Sequence, residues 1–127
     1  MTGSAVRVVD FQAAPLSTLQ RRLDVDRTID SDPVHDIGHY FENQTGALTA
    51  GVWQSTPGKW QAFVDRDEFC YIIEGHVILT NDEGHAQTFK TGDAFLIPNG
   101  FRGTWEVVET TRKHYVILNY PAAEAAA

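Results

Sequence analysis

The sequence predicts an all-β fold, a small barrel or jelly roll with a short N-terminal extension. Two observations carry this. Residues 48–119 are a series of short runs rich in β-branched and aromatic residues, cut every few positions by Gly, Pro, Asp or Asn. Within that region no run shows the apolar period of the crossover helices that a parallel α/β sheet needs. The length agrees: 127 residues suit one domain able to bury a core without disulfides or a structural metal.

The elements follow in order. Residues 1–47 form the extension. Val6-Arg7-Val8-Val9 reads as a short strand. Leu16, Leu19 and Leu23 stand at helical spacing, with Ser17 or Thr18 to cap them, and predict a helix of about two turns. Asp24 to Asp36 holds five Asp, a Ser and a Pro and reads as a loop. Eight strands are expected next: Leu48–Gln54, Lys59–Val64, Glu68–Glu74, Val77–Asn81, Ala86–Lys90, Ala94–Ile97, Thr104–Val108 and Lys113–Leu118. Thr56-Pro57-Gly58, Asp65-Arg66-Asp67, Gly75, Asp82-Glu83-Gly84, Thr91-Gly92 and Pro98-Asn99-Gly100 supply the turns. Residues 120–127, rich in Ala, are expected to be a flexible tail.

Composition excludes several function classes. The formal charge is −7, which disfavours nucleic acid and anionic membrane as partners, since both demand a basic surface. No apolar run approaches the ~20 residues of a membrane span. The first ten residues lack the basic segment and long apolar stretch of a secretory leader. Cys70 is the single cysteine, so no intrachain disulfide forms, and a reducing cytoplasm is the expected compartment.

Two motifs carry a family resemblance. Gly92-Asp93-Ala94-Phe95-Leu96-Ile97-Pro98-Asn99-Gly100 is a turn, a buried strand and a second turn. Upstream, Glu68 and Gly75 stand with six residues between them. In this order, with strands between, they resemble the two motifs of the cupin superfamily over about residues 48–119. Thr56-Pro57-Gly58-Lys59, Asp67-Glu68-Phe69-Cys70-Tyr71, Gly100-Phe101-Arg102-Gly103-Thr104-Trp105 and Arg112-Lys113-His114-Tyr115 are similar to a narrower group. It comprises small single cupins related to (S)-ureidoglycine aminohydrolase and to a cupin of ethanolamine utilisation. The resemblance implies a cupin barrel that commonly dimerises, here through outward residues such as Tyr71, Ile73 and Ile78 and through exchange of Ala5–Phe11.

Cupins hold a metal with His-x-His and a Glu from the first motif and a His from the second. Here the His-x-His positions fall on Gln61 and Phe63, or on Ala62 and Val64, and the last on Gly103. Glu68 alone remains, so no metal and no other cofactor is expected.

Strand alternation then suggests what the interior holds. If Glu68 points inward, so do Cys70 and Ile72. Trp105 shares the face of Gly103, and Lys113 shares one with Tyr115. The resemblance implies that Lys113 and Tyr115 line the cavity. Glu68, Lys113 and Tyr115 are the catalytic candidates, as base or acid, electrostatic partner and proton donor. Trp53, Cys70, Phe95 and Trp105 are candidate walls, and Lys59 and Arg102, at strand ends, candidate anion contacts. The histidines stand apart. His35 and His39 are read as loop residues because Pro33, Asp36 and Gly38 oppose a helix there, His76 and His85 stand beside turn glycines, and His114 lies on the face opposite Lys113.

Three functions fit. One is metal-free acid/base chemistry on a small polar or carboxylated metabolite. Another is binding of such a ligand without turnover. The third is a dimeric structural module. The partners expected are a small molecule and a second copy of the chain.

Overall fold

The computed structural model describes residues 5–121. They form one curled antiparallel sheet with no helix among them: β1 (Ser17–Arg22), β2 (Thr28–Asp30), β3 (Val34–Glu42), β4 (Leu48–Ser55), β5 (Gly58–Gln61), β6 (Arg66–Asn81), β7 (Ala86–Lys90), β8 (Ala94–Ile97) and β9 (Gly103–Asn119). The all-β expectation is met.

The two longest strands form the spine. β6 and β9 pair from Arg66↔Asn119 to Asn81↔Gly103. β6 also pairs with β8 through Glu68–Tyr71 and with β7 through His76–Thr80. β9 pairs with β5 through Thr104–Val107 and with β4 through Thr111–Leu118. β3 and β1 extend the sheet beyond β4, and β2 closes the other edge on β5.

β9 keeps one alternation for most of its length. Trp105, Val107, Thr111, Lys113 and Tyr115 are all buried, while Val108, Arg112, Val116 and Leu118 are exposed. β6 does not keep one. Cys70 and Ile72 face inward at even positions, Val77 and Leu79 at odd ones. The change of phase falls at Gly75, where the register against β9 shifts between Ile72 and Val77 and φ is +132°. A bulge there turns both halves of a long strand to the same core. That core is Trp53, Trp60, Ala62, Cys70, Ile72, Val77, Leu79, Ile97, Trp105, Val107 and Tyr115.

Several expectations are corrected. The predicted helix at Leu16–Leu23 is β1. Six residue pairs with β3 replace helical hydrogen bonds, and only Leu23 of the three leucines packs on the core. Val6–Val9 is not a strand; Val6 and Val8 are almost fully exposed, and no neighbour among the described residues pairs with them. The Asp-rich stretch is not one loop. It contains β2 and the start of β3, its Asp side chains lying on exposed positions. Gly75 is a bulge and not a hairpin, so two predicted strands merge into β6, and likewise two into β9. Lys59–Val64 shortens to end at Gln61. Of the predicted tail, Tyr120 is tied down: its amide donates to the Asp65 carbonyl (3.1 Å) and its hydroxyl donates to the Asp67 carboxylate. The remainder, 122–127, lies outside the described residues.

Candidate functional site

The curl encloses a cavity of about 150 Å³. Its walls come from β1, β3, β4, β5, β6, β8 and β9, so the segment before residue 48 contributes to it directly. Trp53, Trp60 and Trp105 dominate the lining. Trp60 and Trp105 are nearly parallel, 7° apart in plane with centroids separated by 6.1 Å, and Trp53 lies at 5.8 Å from Trp105.

Lys113 reaches into this aromatic wall, with 4% of the residue exposed. Its Nζ lies 4.5 Å from the Trp53 ring centre and 4.3 Å from that of Trp105. Such contact with ring faces favours a cation. The same Nζ donates to Glu68 Oε2 at 2.6 Å and to Cys70 Sγ at 3.5 Å, and the Cys70 thiol donates to Glu68 Oε2 at 3.4 Å. Register explains the meeting: Cys70 pairs with Tyr115 and Ile72 with Lys113, so alternate inward positions of β6 and β9 interleave.

Burial sets the protonation of this cluster. It opposes the charge on Lys113, but the Cys70 sulfur and the Glu68 carboxylate more than offset that and hold its pKa above the ordinary lysine value. Burial pushes the Cys70 thiol well up, and burial with the nearby Glu68 charge raises the Tyr115 phenol. All three therefore keep their protons near neutral pH. Tyr115 has room because β4 places Gly51 opposite it; a Cβ at Gly51 would stand 2.8 Å from the phenol oxygen.

The structure thus brings Glu68, Lys113, Tyr115, Trp53 and Trp105 to one cavity, with Cys70 fully buried behind the ion pair. It does not bring the other candidates there. Lys59 alternates with inward Trp60 and pairs with Glu106 across β9. Phe95 stacks on Phe89, centroids 4.1 Å apart, and contributes to the core behind Trp105. Arg102 is exposed, its carbonyl accepting from the Asp82 amide.

Sequence reasoning missed Trp60, His35, Arg21 and Arg66, which all line the cavity. Alternation along Lys59–Gln61 could have placed Trp60, since Lys59 and Trp60 cannot both face inward. His35 lies on β3, not in a loop, and is 3% exposed against Trp60 (4.8 Å) and Trp53 (5.1 Å). Neither of its ring nitrogens has a hydrogen-bond partner. Burial, then the charges of Arg21 and Lys113, lower its pKa to about 4, so the ring is neutral. Of the other histidines, His114 does face away from Lys113, lying beside Phe11 and Tyr71 on the outer side.

The family pattern of the EutQ-like cupin domain matches residues 42–115. The chain belongs to the EutQ-like cupin family. Solved structures agree with this fold. A protein of unknown function of the DUF861 family from Pseudomonas syringae pv. tomato is 27% identical, with a TM-score of 0.74 over 86% of this cupin. This cupin spans 46% of that protein's length. The Clostridium difficile EutQ protein is 23% identical over 77% of this chain and 75% of its own (TM-score 0.62). A putative ethanolamine utilization protein Q from Salmonella typhimurium is 22% identical over 68% of this chain and 71% of its own (TM-score 0.60). Comparison with curated proteins gave no match.

The cupin metal does not fit the donors present. No group of three or more His, Cys, Asp and Glu gathers among the described residues. The Lys113 ammonium, not an open position, faces Glu68 Oε2. At the position of the second-motif His, a Cβ on Gly103 would stand 2.0 Å from the Thr80 carbonyl oxygen, so no longer side chain can stand there without a shift of backbone. Among the described residues, no helix is long and apolar enough to cross a membrane.

Proposed function

We propose that this cupin binds a small polar metabolite in the tryptophan-walled cavity and moves a proton on it through Glu68. The observation that carries the reading is the Glu68–Lys113 pair, 2.6 Å apart and nearly buried, facing a cavity of ligand size. An ion pair taken out of water offsets its desolvation poorly, so its presence favours a working role over a stabilising one. Lys113, Cys70 and Tyr115 all hold their protons, which leaves the Glu68 carboxylate as the base of the cluster. Lys113 orients it, and Tyr115 is placed to donate to a developing oxyanion.

The test is a thermal-shift screen of small polar metabolites, followed by incubation with the ligand found. The expected result is a ligand that is consumed, with Glu68→Gln retaining binding while turnover falls by a factor of about 10²–10⁴. A ligand recovered intact after long incubation would leave a binding or sensing module. A screen without any stabilising compound overturns the reading altogether.

We also propose that the chain forms a homodimer. Phe69, Tyr71, Leu96, Val116 and Leu118 are exposed on the outer face of β6, β8 and β9. The register places Phe69 between Leu96 and Val116, so the patch is continuous across three strands.

A further inference from the structure

We propose that the cavity's ligand is a small carboxylate, its anionic head held between Arg21 and the His35 ring and its apolar body laid among the tryptophans. This rests on the small-molecule reading above and names the ligand's class. Arg21 and His35 are direct cross-strand partners on β1 and β3, and both line the cavity. The Arg21 side chain is exposed and makes no ion pair or hydrogen bond among the described residues. His35 is the reverse: almost fully buried, and unpartnered at both nitrogens. A buried imidazole left so is costly, and the cost is relieved when something enters that can hydrogen-bond to it.

Charge selects the class. The lining holds three cations, Arg21, Arg66 and Lys113, against the single carboxylate of Glu68. Lys113 and Glu68 cancel one another. Arg66 hydrogen-bonds to Asp65 at 3.2 Å and lies over the Phe63 ring. Arg21 is therefore the guanidinium left with its charge unmatched, in a chain whose formal charge is −7. An ammonium ligand meets repulsion at this end. An inorganic dianion has no apolar body to set against three indoles. A neutral imidazole supplies one N–H, which a carboxylate oxygen accepts while Arg21 supplies the charge. A cavity of about 150 Å³ takes a ring of six carbons.

The three tryptophans of the chain all line the cavity, so intrinsic fluorescence reads its occupancy. The probes are benzoate, its neutral counterpart benzamide and its cationic counterpart benzylamine, titrated into the wild-type protein, Arg21→Gln and His35→Phe. Benzoate is expected to bind at least tenfold more tightly than either other probe. Arg21→Gln should abolish that preference while changing benzamide affinity less than twofold, and His35→Phe should weaken benzoate in the same way. Circular dichroism checks that His35→Phe folds; Arg21→Gln, at an exposed position, carries the test if it does not. Benzamide or benzylamine binding as well as benzoate overturns the assignment, as does Arg21→Gln retaining the preference or all three probes leaving the fluorescence unchanged. A neutral or cationic hit in the metabolite screen would sink the carboxylate class and leave the small-molecule reading standing.

Discussion

At the scale of residues, His35 couples the cavity to acid stability. Its pKa falls from 6.5 to about 4 on folding, because the ring is buried neutral beside Arg21 and Lys113. A group whose folded pKa is depressed binds its proton more readily in the unfolded chain. Its contribution is therefore full above pH 6.5 and is lost as pH falls toward 4. From pH 7 to pH 4.5 the loss is about 2–3 kcal/mol. Urea unfolding at the two pH values should show it in the wild-type protein, and His35→Phe should cancel that part of the difference. An equal loss in both proteins would mean that His35 is not the source. The same residue marks what the sequence could not yield. Pro33, Asp36 and Gly38 around it carry loop chemistry, and only pairing with β1 and β4, set by distant residues, makes the segment a strand. Alternation within single strands put Glu68 with Cys70, Trp105 with Gly103 and Lys113 with Tyr115 on shared faces without knowledge of the neighbours, and the family resemblance supplied which of those faces turns inward.

At the scale of elements, the bulge at Gly75 decides whether β6 can serve one core. A Cβ on that residue would stand 2.2 Å from Thr111 Oγ1 and 2.6 Å from Thr111 Cα. The Thr111 hydroxyl is not free to yield. It accepts from the His76 amide at 3.1 Å and donates to the Glu109 carbonyl at 2.8 Å. Gly75→Ala should therefore destabilise by at least about 2 kcal/mol, adding backbone strain to a clash. Gly84→Ala, also at positive φ (+82°) but facing open space, should cost only the ~1–2 kcal/mol of left-handed strain. Equal losses in chemical denaturation would refute the packing argument. Sequence reading recognised the glycine but assigned it a hairpin. A turn and a bulge ask the same conformational freedom of one residue, and strand pairing tells them apart. The β1 error has a similar origin: Leu16, Leu19 and Leu23 match a helical period, yet edge pairing with β3 outweighs a weak local preference.

At the scale of the whole molecule, the fold class was legible because turn residues punctuate β-rich runs throughout residues 48–119. The share of the cavity built by the N-terminal strands was not, since it depends on which edges of the sheet they join. The apolar outer face predicts a dimer. Light scattering at micromolar concentration should give twice the chain mass, and Phe69→Lys with Leu96→Lys should reduce it to that of one chain. A monomeric wild type would mean that the patch stands bare. The pairing of β6 with β9 bears on how the molecule comes into being. Its register partners lie roughly twenty to fifty residues apart in sequence, so the chain must close large loops before the spine gains any of its contacts. Folding is then slow compared with that of helical domains of this size. Glu68 and Lys113 meet only once the spine has zipped, so a chain still emerging from synthesis has no binding site, and its apolar strands need protection until residue 119 is free.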